Sequence, residues 1–238
     1  MQYVTLSFLC GLVLNRALSL YPVFGMSHKV SIANLEGPYH VTIRCINREW
    51  FSIPMDSVWE IFCNQIYFCQ RAFDLKIHSF VLMSNHYHLL VSTPQLNLSQ
   101  AMAYLNRECS RDLNRLGNRI NRTFAGRYNK SYLGSYHYFL NCYKYVYQNP
   151  LRANLVSRVE NYKYSTLGGL LGSYPMLVPL VEDTILFEGD LQETLTWLNK
   201  APEDRDLESI RNGLKHGRFQ LRRDIMTRHQ NRLEVELL

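Results

Sequence analysis

The sequence predicts an α+β fold in which helices pack on an antiparallel sheet in a ferredoxin-like order, followed by a helical C-terminal appendage. Three observations carry this prediction. The hydrophobic periodicity runs strand, helix, strand, strand, helix. Apolar residues make up 47% of the 238 residues and charged residues 19%, which excludes disorder over most of the chain. Composition then changes sharply beyond residue 170.

That change divides the chain into three predicted parts, residues 1–25, 26–170 and 171–238. The apolar run Tyr3–Leu14 lacks a charged flank and is shorter than the about 20 residues that a membrane span needs. Met26 is a plausible start, so we expect residues 1–25 to be an N-terminal extension, which is either a product of start-site choice or a loosely attached segment. We therefore expect no membrane partner and a cytoplasmic location. Six scattered cysteines fit reduced, mostly buried thiols.

The first half of the predicted domain opens with Tyr39–Ile46, whose alternating apolar residues predict a half-buried strand. Pro54–Ala72 has helical spacing, and proline suits a first helical turn. Leu75–Met83 and His86–Ser92 read as two strands joined by a turn at Ser84–Asn85. These last two strands are therefore expected to form a hairpin.

The second half contributes two helices. Ser99–Leu116 is predicted to be helical, with Ser99 as its N-cap and Gly117 just past its end. Tyr136–Asn149 is predicted to be another helix, closed by Pro150. The fourth strand of a ferredoxin-like sheet is not located by the pattern.

His86 and His88 are the first candidates for chemistry. Residues two apart on a strand share a face, and their Cα atoms lie about 6.6 Å apart, so two imidazoles can converge on one metal ion. Tyr87 is expected to point to the opposite face and pack there. The alternative is a pair of surface histidines or histidines satisfied by protein partners.

Tyr145 and Asn149 are the second candidates. They lie one turn apart on the predicted helix, which places a potential nucleophile beside a potential oxygen ligand. A tyrosine stripe is also typical of an ordinary amphipathic helix face, so this pattern alone leaves both interpretations open.

Positive charge is concentrated between residues 106 and 130. The chain has a net charge of +6, and this segment holds seven basic residues against two acidic ones. Arginines interleaved with aromatic side chains favour single-stranded nucleic acid, while a solvated helix face is the alternative. The residues expected to bind nucleic acid are Arg107, Arg111, Arg115, Arg119, Arg122, Arg127, Tyr128 and Lys130.

Charge also varies within the C-terminal part. Residues 181–208 hold nine acidic residues and two basic ones, whereas residues 210–232 hold seven basic residues and one acidic one. The basic end of the appendage either lies on nucleic acid or forms a solvated helix face.

Two motifs together resemble a known family. The run Met83–Leu90, M-S-N-H-Y-H-L-L, resembles the HUH signature of single-tyrosine transposases. The run Tyr145–Val156, with a tyrosine four residues before Asn-Pro, resembles the second signature of the REP-associated branch. The resemblance covers about residues 30–167 and extends to Arg44, to Gly126-Arg127-Tyr128 and to the Tyr-and-Ser block 162–167. This chain departs from the family at Ser84, where proline is usual, and at Asn149, where related enzymes often have glutamine.

The resemblance implies an enzyme that cuts single-stranded DNA and transfers strands through a 5′-phosphotyrosine on Tyr145. It implies a ferredoxin-like palm and a divalent ion, Mg²⁺ or Mn²⁺, held by His86, His88 and Asn149. The implied partner is single-stranded or hairpin DNA. Relatives include dimers and proteins that act alone, so a homodimer stays open.

Other functions compete with this interpretation. The main one is a catalytically inactive protein, derived from a transposase, that binds single-stranded nucleic acid. A second is a metallonuclease that uses the same histidines with a metal-bound water. A structural zinc site is weaker, because closed zinc sites take four ligands.

Overall fold

The sheet is the ferredoxin-like one that the sequence predicts. The computed structural model describes residues 38–181, 190–221, 223 and 230–238, so the predicted extension 1–25 lies outside the described residues. Four antiparallel strands are arranged in the order β2-β3-β1-β4. Their bounds are β1 Tyr39–Arg44, β2 Lys76–Leu82, β3 His86–Ser92 and β4 Asn129–Tyr132.

Helices flank the sheet and form the C-terminal part. The two long ones, α1 and α2, follow β1 and β3, and α3 and α4 follow β4. The bounds of the helices in the described residues are α1 Met55–Phe73, α2 Leu98–Leu116, α3 Tyr136–Tyr147, α4 Asn149–Arg152, α5 Leu167–Leu170, α6 Leu191–Asn199 and α7 Asp204–Gly213. The fold class is therefore α+β, with helices in the C-terminal appendage as expected.

Strand alternation sends neighbouring residues to two different cores. Val41 and Tyr87 belong to the core between the sheet and helices α1 and α2. Leu90 belongs to the core on the other face, which is built around α3. The Tyr87 ring is fully buried, as predicted, and its hydroxyl donates to Asn106 Oδ1 at 2.9 Å. The histidines on either side of Tyr87 therefore face α3.

Both edges of the sheet are paired with later segments of the chain. Along β2, the Leu82 amide donates to the Tyr164 carbonyl at 2.9 Å, and the Thr166 amide donates to the Phe80 carbonyl at 3.0 Å. Along β4, the Tyr132 amide donates to the carbonyl of residue 217 at 3.0 Å. Pairing satisfies backbone groups that an open edge would expose.

The C-terminal part covers the face of α3 that points away from the sheet. Asn141 is buried in this contact, where its Oδ1 accepts from the Leu238 amide at 2.6 Å and its Nδ2 donates to the Leu233 carbonyl at 3.3 Å. The Lys144 ammonium donates to the Leu238 carbonyl at 2.7 Å. Every residue from 139 to 147 is consequently buried, so α3 is held from two sides.

Three sequence predictions need correction. The N-cap of α2 is Asn97, and the helix begins at Leu98 instead of after Ser99. The predicted helix Tyr136–Asn149 ends at Tyr147, and Pro150 does not close it. Proline lacks only an amide that a first turn leaves unpaired, so it sits in the first turn of α4.

Gly117 lies at the C-cap of α2, but its value to the fold comes from close packing. Its φ is −83°, which any residue can adopt. A Cβ there would lie 2.4 Å from Ser52 Oγ and 3.0 Å from the Leu113 carbonyl. A larger residue at position 117 would therefore force the Ser52 side chain or the end of α2 to shift.

The described residues also show the state of the cysteines and the apolar character of the helices. The five described cysteines are buried and unpaired in disulfides, as reduced thiols would be. No helix among the described residues has the length and apolar character that crossing a bilayer requires.

Stability is expected to fall in mild acid because of His78. This buried β2 side chain shares a hydrogen bond of 2.7 Å with Ser92 Oγ. Burial, helped by Lys76, lowers the pKa of His78 to about 4, whereas the unfolded value is about 6.5. The neutral native imidazole therefore contributes fully above pH about 6.5, and this contribution is lost as the pH falls towards 4, by up to about 3 kcal/mol.

Urea unfolding at pH 7, 5.5 and 4 measures this effect. His78→Phe should lose less stability over this range than the wild type, while the exposed control His216→Gln should follow the wild type. Equal pH slopes for His78→Phe and the wild type would contradict the assignment.

Candidate active site

His86 and His88 lie together on the α3 face of β3. Their ring centroids are 5.1 Å apart with nearly perpendicular planes. In the β1–β3 register, Arg44 lies opposite His86 and Thr42 lies opposite His88. The pleat thus gathers polar side chains of β1 and β3 on one face.

His86 is held by the turn that precedes it. Its Nδ1 lies 2.7 Å from Asn85 Oδ1, and its Nε2 lies 3.5 Å from Arg44 Nη2. The Asn85 amide also donates from Nδ2 to the Arg48 carbonyl at 2.8 Å. Burial first, and then the Arg44 charge, lowers the pKa of His86 to about 4, so its imidazole is neutral at pH 7.

His88 is partnered by a histidine of the neighbouring strand. His88 Nδ1 lies 2.9 Å from His40 Nε2, and the two rings stack at 5.1 Å. His40 is only 3% exposed and His88 6%. Burial lowers the pKa of His40 to about 3 and holds the pKa of His88 well below its usual value, so both rings are neutral at pH 7.

Helix α3 brings Tyr145 to these histidines. The Tyr145 ring meets His88 edge-on at 5.9 Å and His40 edge-on at 6.3 Å between centroids. Tyr145 is 8% exposed. The phenol predicted as the nucleophile and the histidines predicted as ligands are therefore neighbours, although they are more than 50 residues apart in the chain.

Arg152 covers the other side of the tyrosine. Its guanidinium carbon lies 4.3 Å from the Tyr145 ring centroid, and its Nη2 donates to the Tyr145 carbonyl at 3.0 Å. Burial lowers the pKa of Arg152 to about 10, which leaves it charged at pH 7. Its Nη1 is buried with no hydrogen-bond partner among the described residues, so a donor beside the phenol is available to an anion.

The Asn149 side chain lies beside Tyr145 and Arg152, and both of its polar atoms already form hydrogen bonds. Its Nδ2 donates to the carbonyls of Tyr145 at 3.0 Å and Val146 at 3.2 Å, and its Oδ1 accepts from Arg152 Nη2 at 2.9 Å. An amide oxygen has a second lone pair, so one acceptor position stays available at Oδ1.

These donors fit a divalent ion with an open coordination sphere. His86 Nε2 points away from the Asn85 contact, and His88 Nε2 points away from the His40 contact. Imidazole nitrogens with an amide oxygen suit Mn²⁺ and tolerate Mg²⁺. The described residues hold no cluster of three or more His, Cys, Asp or Glu side chains arranged for a metal, so the remaining positions would fall to phosphate oxygens or water.

The residues predicted to bind nucleic acid lie on the opposite side of the sheet. Lys130 pairs with Val41, which faces the core of α1 and α2. A cavity of about 700 Å³ opens there between α2 and the loop before β4, with Ile43, Met102 and Phe124 in its lining. The predicted residues among its lining are Arg107, Arg122, Arg127, Tyr128 and Lys130.

The remaining arginines of the basic stripe contact carboxylates. Arg111 pairs with Glu108, Arg115 with Asp112 at 3.6 Å, and Arg119 with Glu49 at 2.9 Å. Arg107 also pairs with Glu108, at 2.9 Å.

Three cations of this surface are different. Arg122, Arg127 and Lys130 are exposed and form no ion pair within the described part of the chain. These three, together with Tyr128, are the most available to a polyanion.

Sequence reasoning assigned no role to three residues of the site. His40 alternates with apolar neighbours on a strand, and its partner His88 lies 48 positions later. Arg152 lies two residues after Pro150, which the sequence predicts to end the helix. Asn85 reads as an ordinary turn residue. The one available signal was the spacing of Tyr145 and Arg152, seven residues apart, which places them on one face of a continuing helix.

The chain has detectable similarity to solved structures and to one family model. No curated protein shows significant similarity to the chain. A solved structure of a REP-associated tyrosine transposase bound to a REP hairpin is similar, with 16% identity and a TM-score of 0.49 over 66% of this chain and 92% of that one. A second, of a protein assigned as a transposase from Deinococcus radiodurans R1, has 15% identity and a TM-score of 0.34 over 53% and 95%.

The family comparison reaches further into the site. The model of the family described as "Transposase IS200 like" matches residues 35–148. That segment contains all four strands, both histidines of the HUH motif and Tyr145, while Asn149 and Arg152 follow it. The segment that carries the sheet, both histidines and Tyr145 is therefore similar to the family of IS200-like transposases.

Proposed function

We propose that this chain cuts and rejoins single-stranded DNA through a covalent bond to Tyr145, in a reaction that depends on a divalent ion. One observation carries the proposal. The Tyr145 phenol is packed against His88 on one side and against the charged guanidinium of Arg152 on the other. The match of residues 35–148 to a transposase family supports DNA processing as the kind of activity.

The chemistry follows from what each group offers. The Tyr145 oxygen loses its proton and attacks the scissile phosphorus, the bond from phosphorus to the 3′ oxygen breaks, and that oxygen leaves with the electron pair and takes up a proton. The products are a 5′-phosphotyrosine and a free 3′-OH, and attack by another 3′-OH reverses the steps and joins strands. No water is consumed, so bond energy is conserved.

Each side chain then has one task. An unperturbed phenol has a pKa of about 10, so charge stabilisation is needed at neutral pH. Arg152 is placed to stabilise the developing phenolate, and its Nη1 donor is available to a phosphate oxygen. A divalent ion held by His86 and His88, with Asn149 Oδ1 as third donor, would neutralise charge on the scissile phosphate when bound.

The substrate class follows from the two faces of the sheet. A phosphate reaches the enclosed Tyr145 most readily in a single strand, because a duplex keeps its phosphates in paired geometry. The cavity on the other face offers cations and the Tyr128 ring, which suit a backbone and stacked bases. Hairpin DNA combines both forms, and the resemblance to the REP-associated branch favours it. The cytoplasm is the compartment in which we place this activity, with a homodimer as one candidate assembly.

A second candidate function rests on Asn149. Its Oδ1 already accepts from Arg152, and its amide donates into its own helix. A site that never completes its ligand set would bind DNA without cutting it. This describes a nucleic-acid-binding protein derived from a transposase.

Replacement of the nucleophile separates these functions. Tyr145→Phe should abolish the covalent protein–DNA adduct and leave hairpin binding within about twofold, because the phenyl ring keeps the packing against His88. The measurement is a denaturing gel with end-labelled hairpin DNA and Mn²⁺. Tyr143→Phe, which alters a buried tyrosine on the same helix, is the matched control and should form the adduct. Cleavage without an adduct would point to a metallonuclease, and binding without cleavage by the wild type to the inactive protein.

Arg152 should matter for rate more than for binding. Arg152→Gln removes the guanidinium beside Tyr145 and is expected to slow adduct formation about 100-fold, the usual cost of losing one preorganised charge-stabilising donor. Single-turnover kinetics at saturating DNA measure this rate. Arg158→Gln, which removes a surface arginine paired with Glu160, should keep the wild-type rate. An unchanged rate for Arg152→Gln would exclude a role for Arg152 in the chemistry.

If DNA binds to the exposed cations, its affinity should depend on the salt concentration through them. Replacing Arg122, Arg127 and Lys130 with glutamine should make the negative slope of log affinity against log salt shallower. We expect a change of about 0.7 per lost contact for a single strand and about 0.9 for a duplex stem. Fluorescence anisotropy with separate stem and single-strand probes measures both slopes. Arg115→Gln, whose cation already faces Asp112, should change them little. Slopes that stay at the wild-type value in the triple variant would place the DNA elsewhere.

A further inference from the structure

We propose that Asn85 and His40 are positioning residues that fix the tautomers of His86 and His88, so that each histidine presents an unprotonated Nε2 to the metal ion. The inference rests on the proposed function, in which these two histidines hold the ion. It adds a pair of residues outside the ligand set, and each one acts through a single hydrogen bond.

The hydrogen bonds around Asn85 leave one assignment for His86. The Arg48 carbonyl can only accept, so the Asn85 atom 2.8 Å from it is the amide nitrogen. Asn85 Oδ1 therefore faces His86 Nδ1 at 2.7 Å, and because an amide oxygen only accepts, Nδ1 carries the hydrogen. The neutral ring then has its lone pair at Nε2. Arg44 Nη2, which only donates, faces that atom at 3.5 Å, in agreement with this tautomer.

The loop that supplies the Arg48 carbonyl is held in an unusual conformation. Asn47 and Arg48 have φ values of 53° and 60°, in the left-handed region that non-glycine residues rarely adopt. The loop is tied to the turn by bonds from the Cys45 amide to the Asn85 carbonyl at 2.8 Å and from the Phe51 amide to the Ser84 carbonyl at 2.9 Å. The left-handed conformation of Asn47 and Arg48 thus orients the Arg48 carbonyl towards the Asn85 side chain.

His40 performs the same task for His88 from the neighbouring strand. In the 2.9 Å contact between His40 Nε2 and His88 Nδ1, one nitrogen donates and the other accepts. His88 offers a lone pair at Nε2 only when its own Nδ1 is the donor, which makes His40 the acceptor. His40 is buried on β1 and cannot turn away to solvent. Metal-binding histidines usually donate their second N–H to such a partner, whose loss weakens metal binding about 10- to 100-fold.

The tautomers are measurable without metal or DNA. Long-range ¹H–¹⁵N spectra of metal-free protein labelled at histidine should show both His86 and His88 protonated at Nδ1. Asn85→Leu should release the tautomer of His86 alone, and His40→Phe that of His88 alone. Wild-type protein with either histidine protonated at Nε2 overturns the proposal for that pair, whether or not any variant folds.

Metal affinity provides the second test. Calorimetric titration with Mn²⁺ should show about 10- to 100-fold weaker binding for Asn85→Leu and for His40→Phe. His40→Gln should recover most of the affinity, because the glutamine Oε1 can accept near the position of the lost Nε2. His78→Phe is the matched control, since it removes another buried histidine of the same sheet, one that bonds to Ser92 and packs on Phe139, and it should bind Mn²⁺ as the wild type does.

The outcomes separate the two proposals. If the wild type binds Mn²⁺ and folded Asn85→Leu and His40→Phe bind it equally well, the positioning role is wrong and the metal-dependent function stands. If the wild type binds no Mn²⁺, the metal-dependent function fails and the positioning role fails with it. If His40→Gln binds as weakly as His40→Phe, the hydrogen bond is not the cause.

Discussion

The register between β1 and β3 is the constraint on which the site depends. It sets Thr42 opposite His88 and Arg44 opposite His86, and it brings His40 onto the same face. Because side chains alternate along a strand, a slip of one residue would send these polar groups into the core under α1 and α2. The large apolar side chains of that core, with Tyr87 among them, hold the register. The apolar core under α1 and α2 therefore determines which side chains form the polar face, although it lies on the opposite side of the sheet.

The second constraint is the confinement of α3. One side of the helix packs on the sheet and presents Tyr145 to His88, while Asn141 and Lys144 on its other side bond to the C-terminal segment. Helix α4 continues the path and returns Arg152 over the tyrosine. In the proposed reaction, a phenol held on several sides would lose little further conformational freedom, which favours a well-defined line of attack.

Much of this architecture could be predicted from the sequence, and the exceptions have physical causes. The hairpin of β2 and β3 was readable because its alternation is strong, and His86–Ser92 has the predicted bounds. Strand β4 was missed because Asn129–Tyr132 is short and polar and is recruited by pairing with β1. Strand periodicity pairs His86 with His88, and helix periodicity pairs Tyr145 with Asn149. That the two pairs form one site was implied only by the resemblance to a family. His40 follows from neither, because only the register of two distant strands reveals its partner.

The two faces of the sheet have a consequence for how a cut would be located. The exposed cations Arg122, Arg127 and Lys130 lie on one face and Tyr145 on the other, and later segments of the chain cover both edges between them. A strand anchored on the first face must travel around the body of the domain to reach the tyrosine. In the proposed reaction, the thickness of the fold would set the number of nucleotides between the anchored part of the strand and the cleavage point.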